Sequence, residues 1–173
     1  MKKISIEKLK NILEEEESVH LDFKEKHHKN SVELIHDILC LANSISEQDR
    51  FILFGVKNNK EIKGISGLRR NQADLSDCLR SSNINKMPEF LLYTIVYQDQ
   101  EIDILHLKNN PLKPYFLLKD KSNNGVTIRA GVIYSRYNDS NTPINSTASE
   151  SEISQMWLER FGFLKSPLKR AID

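Results

Sequence analysis

The chain has 173 residues, 39% of them hydrophobic and 28% charged, which suits one soluble globular domain with a sizeable core and no low-complexity tract. Twenty-five Lys plus Arg against twenty-four Asp plus Glu give a formal net charge of +1, which excludes bulk electrostatic attraction to nucleic acid and leaves any such contact to a local basic patch. The N-terminus lacks the apolar core of a signal peptide and no run approaches the ~18 apolar residues of a membrane span, so a cytoplasmic protein without a membrane partner is expected.

Residues Ser5 to about Glu16 predict a first helix, because Ile6, Leu9, Ile12 and Leu13 share one face with Lys and Glu elsewhere. The glutamate run Glu14 to Glu17 ends where an alternating stretch begins. In Glu17-Ser-Val-His-Leu-Asp-Phe-Lys24 a strand period of two turns Val19, Leu21 and Phe23 towards a core and sets His20, Asp22 and Lys24 on the other face. A divalent-metal phosphodiesterase needs grouped carboxylates for the cation and a nearby ammonium for phosphate charge, so this row is the chain's candidate for chemistry. A half-buried strand shows the same pattern to water for no chemical reason. Along a straight strand Glu17 and Asp22 would stand roughly 16 Å apart, so they share a metal only if Glu17 lies on the preceding turn and folds back.

Glu25-Lys-His-His-Lys-Asn30 has no apolar period and reads as a loop in which the adjacent His27 and His28 point different ways. Asn30 followed by Glu33 fits a helix N-cap with its reciprocal partner, and Leu34, Ile35, Ile38, Leu39, Leu41 and Ala42 then form a broad apolar face on a helix over Ser31 to Ser44. The short apolar run Phe51 to Val56 predicts a central strand covered on both faces. Lys57 to Lys60 then makes a turn and Glu61 to Ile65 a returning strand. Asn71 to about Arg80 is a third helix, and Phe90 to Tyr97 with Glu101 to Leu107 form a hairpin around Gln98-Asp-Gln100. Beyond Pro111 and Pro114 come Tyr115 to Leu118 and a further alternating pair, Val126 to Arg129 with Val132 to Arg136. A loop from Asn138 to Ser149 leads into a closing helix from Glu150 to about Phe161, with the single Trp157 in its core-facing period. Cys40 and Cys78 fall in helical stretches without Cys-x-x-Cys or Cys/His ligand spacing, which points to buried thiols in a reducing cytosol. Strands and helices mix without regular βαβ alternation, so the fold class is α+β, a single domain with a mixed β-sheet and packed helices.

Five stretches in this order and spacing carry a further likeness: Glu17-Ser-x-x-Leu-Asp-Phe-Lys24; Ala42-Asn43 feeding Arg50-Phe-Ile-Leu-Phe-Gly-Val56; Ile62-Lys-Gly-Ile65; Lys113-Pro-Tyr-Phe-Leu117; and Gly131-Val-Ile-Tyr-Ser-Arg136 followed by Asp139-Ser-Asn-Thr-Pro143. Together they resemble the Schlafen AlbA_2 domain family, once labelled a divergent ATP-binding group, over nearly the whole chain. The likeness implies a domain over residues 1–149. Residues 150–173 then complete it as a C-terminal helix and tail, or lead to a C-terminal region that is absent. Met156-Trp-Leu-Glu-Arg-Phe-Gly162 and Ser166-Pro-Leu-Lys-Arg170 look like the segment that follows this domain in many bacterial members.

Some Schlafen proteins resembling this one are metal-dependent endoribonucleases acting on tRNA or rRNA. The resemblance places their first two active-site acids on Glu17 and Asp22 and their lysine on Lys24, which makes these three the catalytic candidates. Their third acid follows the Gly-Val strand, where this chain has Lys57-Asn58-Asn59. A Mg²⁺ or Mn²⁺ cofactor would therefore be held by Glu17, Asp22 and Asn59, and an amide brings no negative charge. Lys57, Lys60, Lys63, Arg69 and Arg70, with only Glu61 opposing them in sequence, make a local basic excess suited to a phosphate backbone, and Arg129 and Arg136 extend the nucleic-acid-binding set. Two readings follow. One is an RNA-directed endoribonuclease with an incomplete acidic site, acting on tRNA or another structured RNA. The other is a non-catalytic nucleic-acid-binding or sensor module of a larger regulatory or defence protein. ATP is not expected as a partner, since no Gly-x-x-x-x-Gly-Lys-Ser/Thr or Gly-x-Gly-x-x-Gly loop is present. A homo-oligomer stays open.

Overall fold

A computed structural model describes residues 1–164; the predicted Ser166 to Arg170 tail lies outside the described residues. Ser5 caps the first helix, α1 (Ile6–Glu14), by accepting from the Lys8 amide, and Leu9 and Ile12 are its buried face. The helix stops at Glu14, two residues short of the expected end, and Glu15 is extended. A run of glutamates at a helix C-terminus meets the negative end of the macrodipole, which favours termination there. Ser18 and Leu21 then bridge in a tight turn into β1 (Leu21–Lys24).

Helix α2 (Ser31–Asn43) is buried along most of its length. Asn30 caps it by accepting from Val32, while Glu33 stays exposed and no reciprocal bond to the cap is formed. Its C-terminal carbonyls meet two buried cations: Arg50 donates to Ser44 O at 2.7 Å and Lys113 to the same oxygen at 3.2 Å. Cations are favoured at this end of a helix by the dipole, and Glu159 at 3.1 Å from Lys113 Nζ offsets one of the two charges. The Asn43 side chain exchanges bonds with the backbone of Tyr115 and donates to Tyr134 O as well at 2.8 Å.

Strand β2 (Arg50–Phe54) runs parallel to β1 and antiparallel to β4 (Gln100–Leu107), and β4 pairs antiparallel with β3 (Phe90–Tyr97). The resulting four-stranded mixed sheet, ordered β1-β2-β4-β3, has both faces covered. Leu21, Phe23, Phe51, Leu53, Ile102 and Ile104 pack with α1. Ile52, Phe54, Leu105 and Leu107 pack with α2 and with Leu75 and Leu79 of α3 (Gln72–Arg80). This is the α+β mixed-sheet fold expected, with β2 wholly buried.

Several details differ. The face of β1 that carries Asp22 and Lys24 is not wet: it lies on the α2 side, and Asp22 is buried. His20 leaves the row because the Ser18–Leu21 turn precedes the strand, and its Nε2 lies 2.9 Å from Glu15 instead. After Gly55 the return strand is reduced to a single Val56–Ile62 bridge. Gly55 has φ +93°, and a Cβ there would stand 3.0 Å from Gly64 backbone, so the chain passes this corner only as glycine. Val126 to Arg129 does not pair with Val132 to Arg136. Instead β6 (Val126–Ile128) pairs with the polar β5 (Lys121–Asn123), and β7 (Arg136–Tyr137) with β8 (Ser140–Asn141). Tyr115 to Leu118 makes one bridge, Leu117 to Ile84. In α4 (Glu150–Arg160) Met156 is the buried anchor, whereas Trp157 is half-buried and stacks on Phe161 at 5.7 Å. No helix of the described residues is long and apolar enough to cross a membrane.

Candidate functional site

Glu17 does fold back. Its Oε1 accepts from the amide of Phe23 at 2.9 Å, the peptide group that follows Asp22, so the first acid closes over the outer edge of β1. The carboxylate of Asp22 points the other way, into a ring of charges. Its Oδ1 lies 3.2 Å from Arg136 Nη2, and its Oδ2 lies 2.7 Å from Lys24 Nζ, close enough for an ion pair but without hydrogen-bond alignment. Arg136 Nη1 donates to Asn141 Oδ1, and Asn141 Nδ2 donates to Asp37 Oδ1, both at 2.8 Å. Asp37 Oδ2 takes His28 Nε2 at 2.8 Å and faces Lys24 Nζ at 3.5 Å, which closes the ring. Arg136 further donates through Nε to Ser18 O at 2.7 Å, so the ring ties β1 and its entry turn to α2 and the β7–β8 hairpin.

Two carboxylates and two permanent cations leave the ring balanced. Burial alone would lower the Lys24 ammonium, but Asp37 and Asp22 outweigh it and lift it above its ordinary value. Burial would likewise raise Asp37, and the His28 hydrogen bond with the Lys24 charge holds it low. His36, beside this acid, is pushed down by its own burial. Lys24 is the outlet: its side chain is 30% exposed, against 3% for Asp22 and Arg136 and 11% for Asp37. Whatever approaches from solvent meets the Lys24 side chain first.

Across the sheet Lys24 registers with Phe54, Phe54 with Asp103 and Asp103 with Thr94. His27 stacks on Phe54 with ring centroids 4.1 Å apart and bonds Asp103 Oδ2 at 2.8 Å. The adjacent histidines thus do point different ways, and each takes its own buried carboxylate. Asp103 also accepts from Arg69 through Nε at 2.9 Å and Nη2 at 2.7 Å, and from Thr94 Oγ1 at 2.6 Å. Burial would raise its carboxyl, but these donors outweigh it and bring it down to about 2.

The donors expected for Mg²⁺ or Mn²⁺ do not fit a metal. Both Asp22 oxygens face cations, and the exposed Asn59 uses its carboxamide oxygen to accept from Glu61 N at 3.1 Å. Among the described residues no three His, Cys, Asp or Glu side chains gather as a metal-holding group. The basic set is also rearranged. Lys57 pairs with Glu61 at 2.9 Å, Lys60 meets Glu16 and donates to Glu14 O at 3.1 Å, and Arg69 is spent on Asp103 and Glu101. Sequence neighbours showed only Glu61, whereas the turn after α1 and strand β4 bring the other acids. Arg136 is a buried member of the ring rather than a surface cation. Arg70 donates to the backbone oxygens of His28 and Lys29, and Arg129 is exposed. Asp37, His28 and Asn141 were absent from the predicted site. The signal for Asp37 was an acid set in the apolar helix Val-Glu-Leu-Ile-His-Asp-Ile-Leu, where an uncompensated charge has no place.

A family model described as Schlafen, AlbA_2 matches residues 17–145. Among solved structures, the DIP2311 protein from Corynebacterium diphtheriae is similar with a TM-score of 0.52 at 13% identity. That likeness covers 88% of this chain and 28% of that one, and it supports the α+β fold. No curated protein matches the chain.

Proposed function

The chain belongs to the Schlafen AlbA_2 family, and on that premise we propose that it is an RNA-binding domain that engages its ligand by charge, without metal-dependent cleavage. The observation that carries this is the state of Asp22, buried and faced by both Lys24 and Arg136. A metal-binding carboxylate has to offer its negative charge to the ion, and here that charge is already compensated. Lys24, whose Nζ lies beside Asp22 and Asp37 and whose side chain is the most exposed of the ring's charged groups, is suited to a phosphate oxygen. A tRNA-like or other structured RNA is the partner class.

A second reading, a Mn²⁺- or Mg²⁺-dependent endoribonuclease, has one observation in its favour: Glu17 returns to the amide beside Asp22, as a shared site would need. The two separate in one experiment. Purified protein is incubated with total tRNA with and without Mn²⁺, beside a Glu17→Ala, Asp22→Ala variant, and thermal unfolding is followed in parallel. Binding without cleavage, and no rise in Tm on adding Mn²⁺, is the expected result. Cleavage that needs the metal and is lost in the double variant would replace this reading with the second.

A further inference from the structure

The loop Glu25 to Asn30 is held from beneath at two points, by His27 on Asp103 and His28 on Asp37. A segment pinned in this way is not a free linker, and its exposed side chains are Glu25, Lys26 and Lys29. Arg70 closes the far side of the loop by donating to the carbonyls of His28 and Lys29. Asn30 Nδ2 donates to Asn123 O at 3.0 Å, and Asn123 reaches back to Ser31 Oγ at 3.3 Å, which fastens the β5–β6 hairpin beside the loop. That hairpin brings Lys121, whose Nζ is bound among the described residues only by the hydroxyls of Ser81 and Ser82 at 3.2 and 2.9 Å. Burial pushes the Cys78 thiol up, and the charges of Lys121 and Arg70 pull it back.

We infer that Lys26, Lys29, Arg70 and Lys121 form the surface on which this domain binds the phosphodiester backbone of a nucleic-acid duplex. The inference rests on the RNA-binding reading above and gives it a location. Among the described residues none of the four has a carboxylate within ion-pair reach, in contrast to Lys57, Lys60 and Arg69. The acids nearest in sequence are the exposed Glu25, Glu33 and Asp120, of which Asp120 accepts from the Ala130 amide at 2.7 Å, while Asp74 accepts from the Asn71 amide at the start of α3 and Asp77 faces Arg80 at 3.8 Å. Cations left unpaired on a scaffold held by buried contacts are pre-organised for phosphate, and releasing counterions supplies the driving force. The aromatic rings of the loop, His27 and His28, are turned inward against Phe54, and a loop that offers no exposed ring to an unpaired base favours a helical backbone over a single strand.

The test is fluorescence anisotropy with a labelled RNA hairpin, a single-stranded RNA of equal length and a DNA duplex, each over a salt series. Wild type is compared with Lys26→Gln, Lys29→Gln and with Lys57→Gln, Lys60→Gln, and thermal unfolding checks that each variant is folded. All four substituted lysines are at the surface, so neither variant threatens the core. The expected result is tighter binding of the hairpin than of the single strand, at least tenfold loss in the rim variant, and a log–log salt slope smaller by about 1.8 for two contacts. The second variant should bind as wild type. Equal binding of hairpin and DNA duplex, with the rim variant weakened for both, supports the surface and overturns RNA as the particular partner. A rim variant that binds like wild type overturns the surface while the RNA-binding reading stands. Equal affinity for the single strand overturns the duplex. No nucleic-acid binding by wild type overturns both.

Discussion

Two buried carboxylate clusters flank Phe54, one around Asp22 and Asp37 and one around Asp103, and they solve the same problem differently. Asp103 is saturated: one histidine, two nitrogens of Arg69 and a threonine hydroxyl converge on its two oxygens, and its carboxyl is brought down to about 2. Every donor there is fixed by the acid, and nothing is left over for a ligand. In the other cluster the charges balance but the geometry is less complete. Asp22 Oδ2 has Lys24 at ion-pair distance without an aligned hydrogen bond, and His28 Nδ1 has no partner among the described residues. A saturated cluster is a lock, whereas a balanced but incompletely bonded one can exchange a partner at modest cost. That contrast is why Lys24, rather than Arg69, is the cation available to a phosphate.

The largest effect should come from breaking the ring. Arg136→Met leaves Asp22 buried without its guanidinium, and removing one partner of a buried pair costs about 3 to 5 kcal/mol. Urea unfolding measures this directly, and adding Asp22→Asn in the same chain should recover part of the loss, since the stranded charge is gone. A cost below about 1 kcal/mol for Arg136→Met would show that the ring does not depend on this pair.

What was legible in the sequence follows from the range of the forces involved. The Ser31 to Asn43 helix, the Phe51 strand and the Phe90 to Leu107 hairpin were readable because cap, period and turn lie within a few residues of one another. Glu17, Asp22 and Lys24 were readable as a charged row for the same reason. Their function as a unit was not, because Asp22 is completed by Arg136 and Asp37 by Asn141, each more than a hundred positions away. The basic excess around Lys57 to Arg70 failed in the same manner: Glu16 and Asp103 reach it only through the fold. The β5 strand, Lys-Ser-Asn, had no apolar period to betray it. Local patterns expose elements and candidate charges; which charges remain free is a tertiary property.

A smaller effect sharpens the comparison through pH. Asp103 has a folded value of about 2 against about 3.9 unfolded, so its contribution is present in full above about pH 4 and is lost as pH falls through 2. Asp103→Asn should therefore cost about 2 kcal/mol at neutral pH and flatten the acid limb of a stability-against-pH curve. Asp37, also held below its ordinary value, keeps the same sign of pH dependence in that variant. An acid limb unchanged by Asp103→Asn would mean that Asp103 is not the saturated carboxylate.

The smallest effect is expected where an ion pair is fully in solvent. Lys57 and Glu61 sit 2.9 Å apart at the tip of the turn after β2, with Lys63 on the other oxygen at 2.5 Å, and the hydrogen bonds from Lys63 and Lys57 bring the Glu61 carboxyl down to about 2. That depression resembles the one at Asp103, yet its meaning differs. Water screens the pair, both long side chains lose rotamer freedom to hold it, and added salt weakens it further. Lys57→Gln should therefore leave the unfolding midpoint unchanged within error at physiological salt, where Asp103→Asn lowers it clearly. Two carboxyls with similar folded values and different stability costs would show that burial, rather than the value itself, decides whether a charge cluster holds the fold. A drop in midpoint for Lys57→Gln comparable to that of Asp103→Asn would remove the distinction.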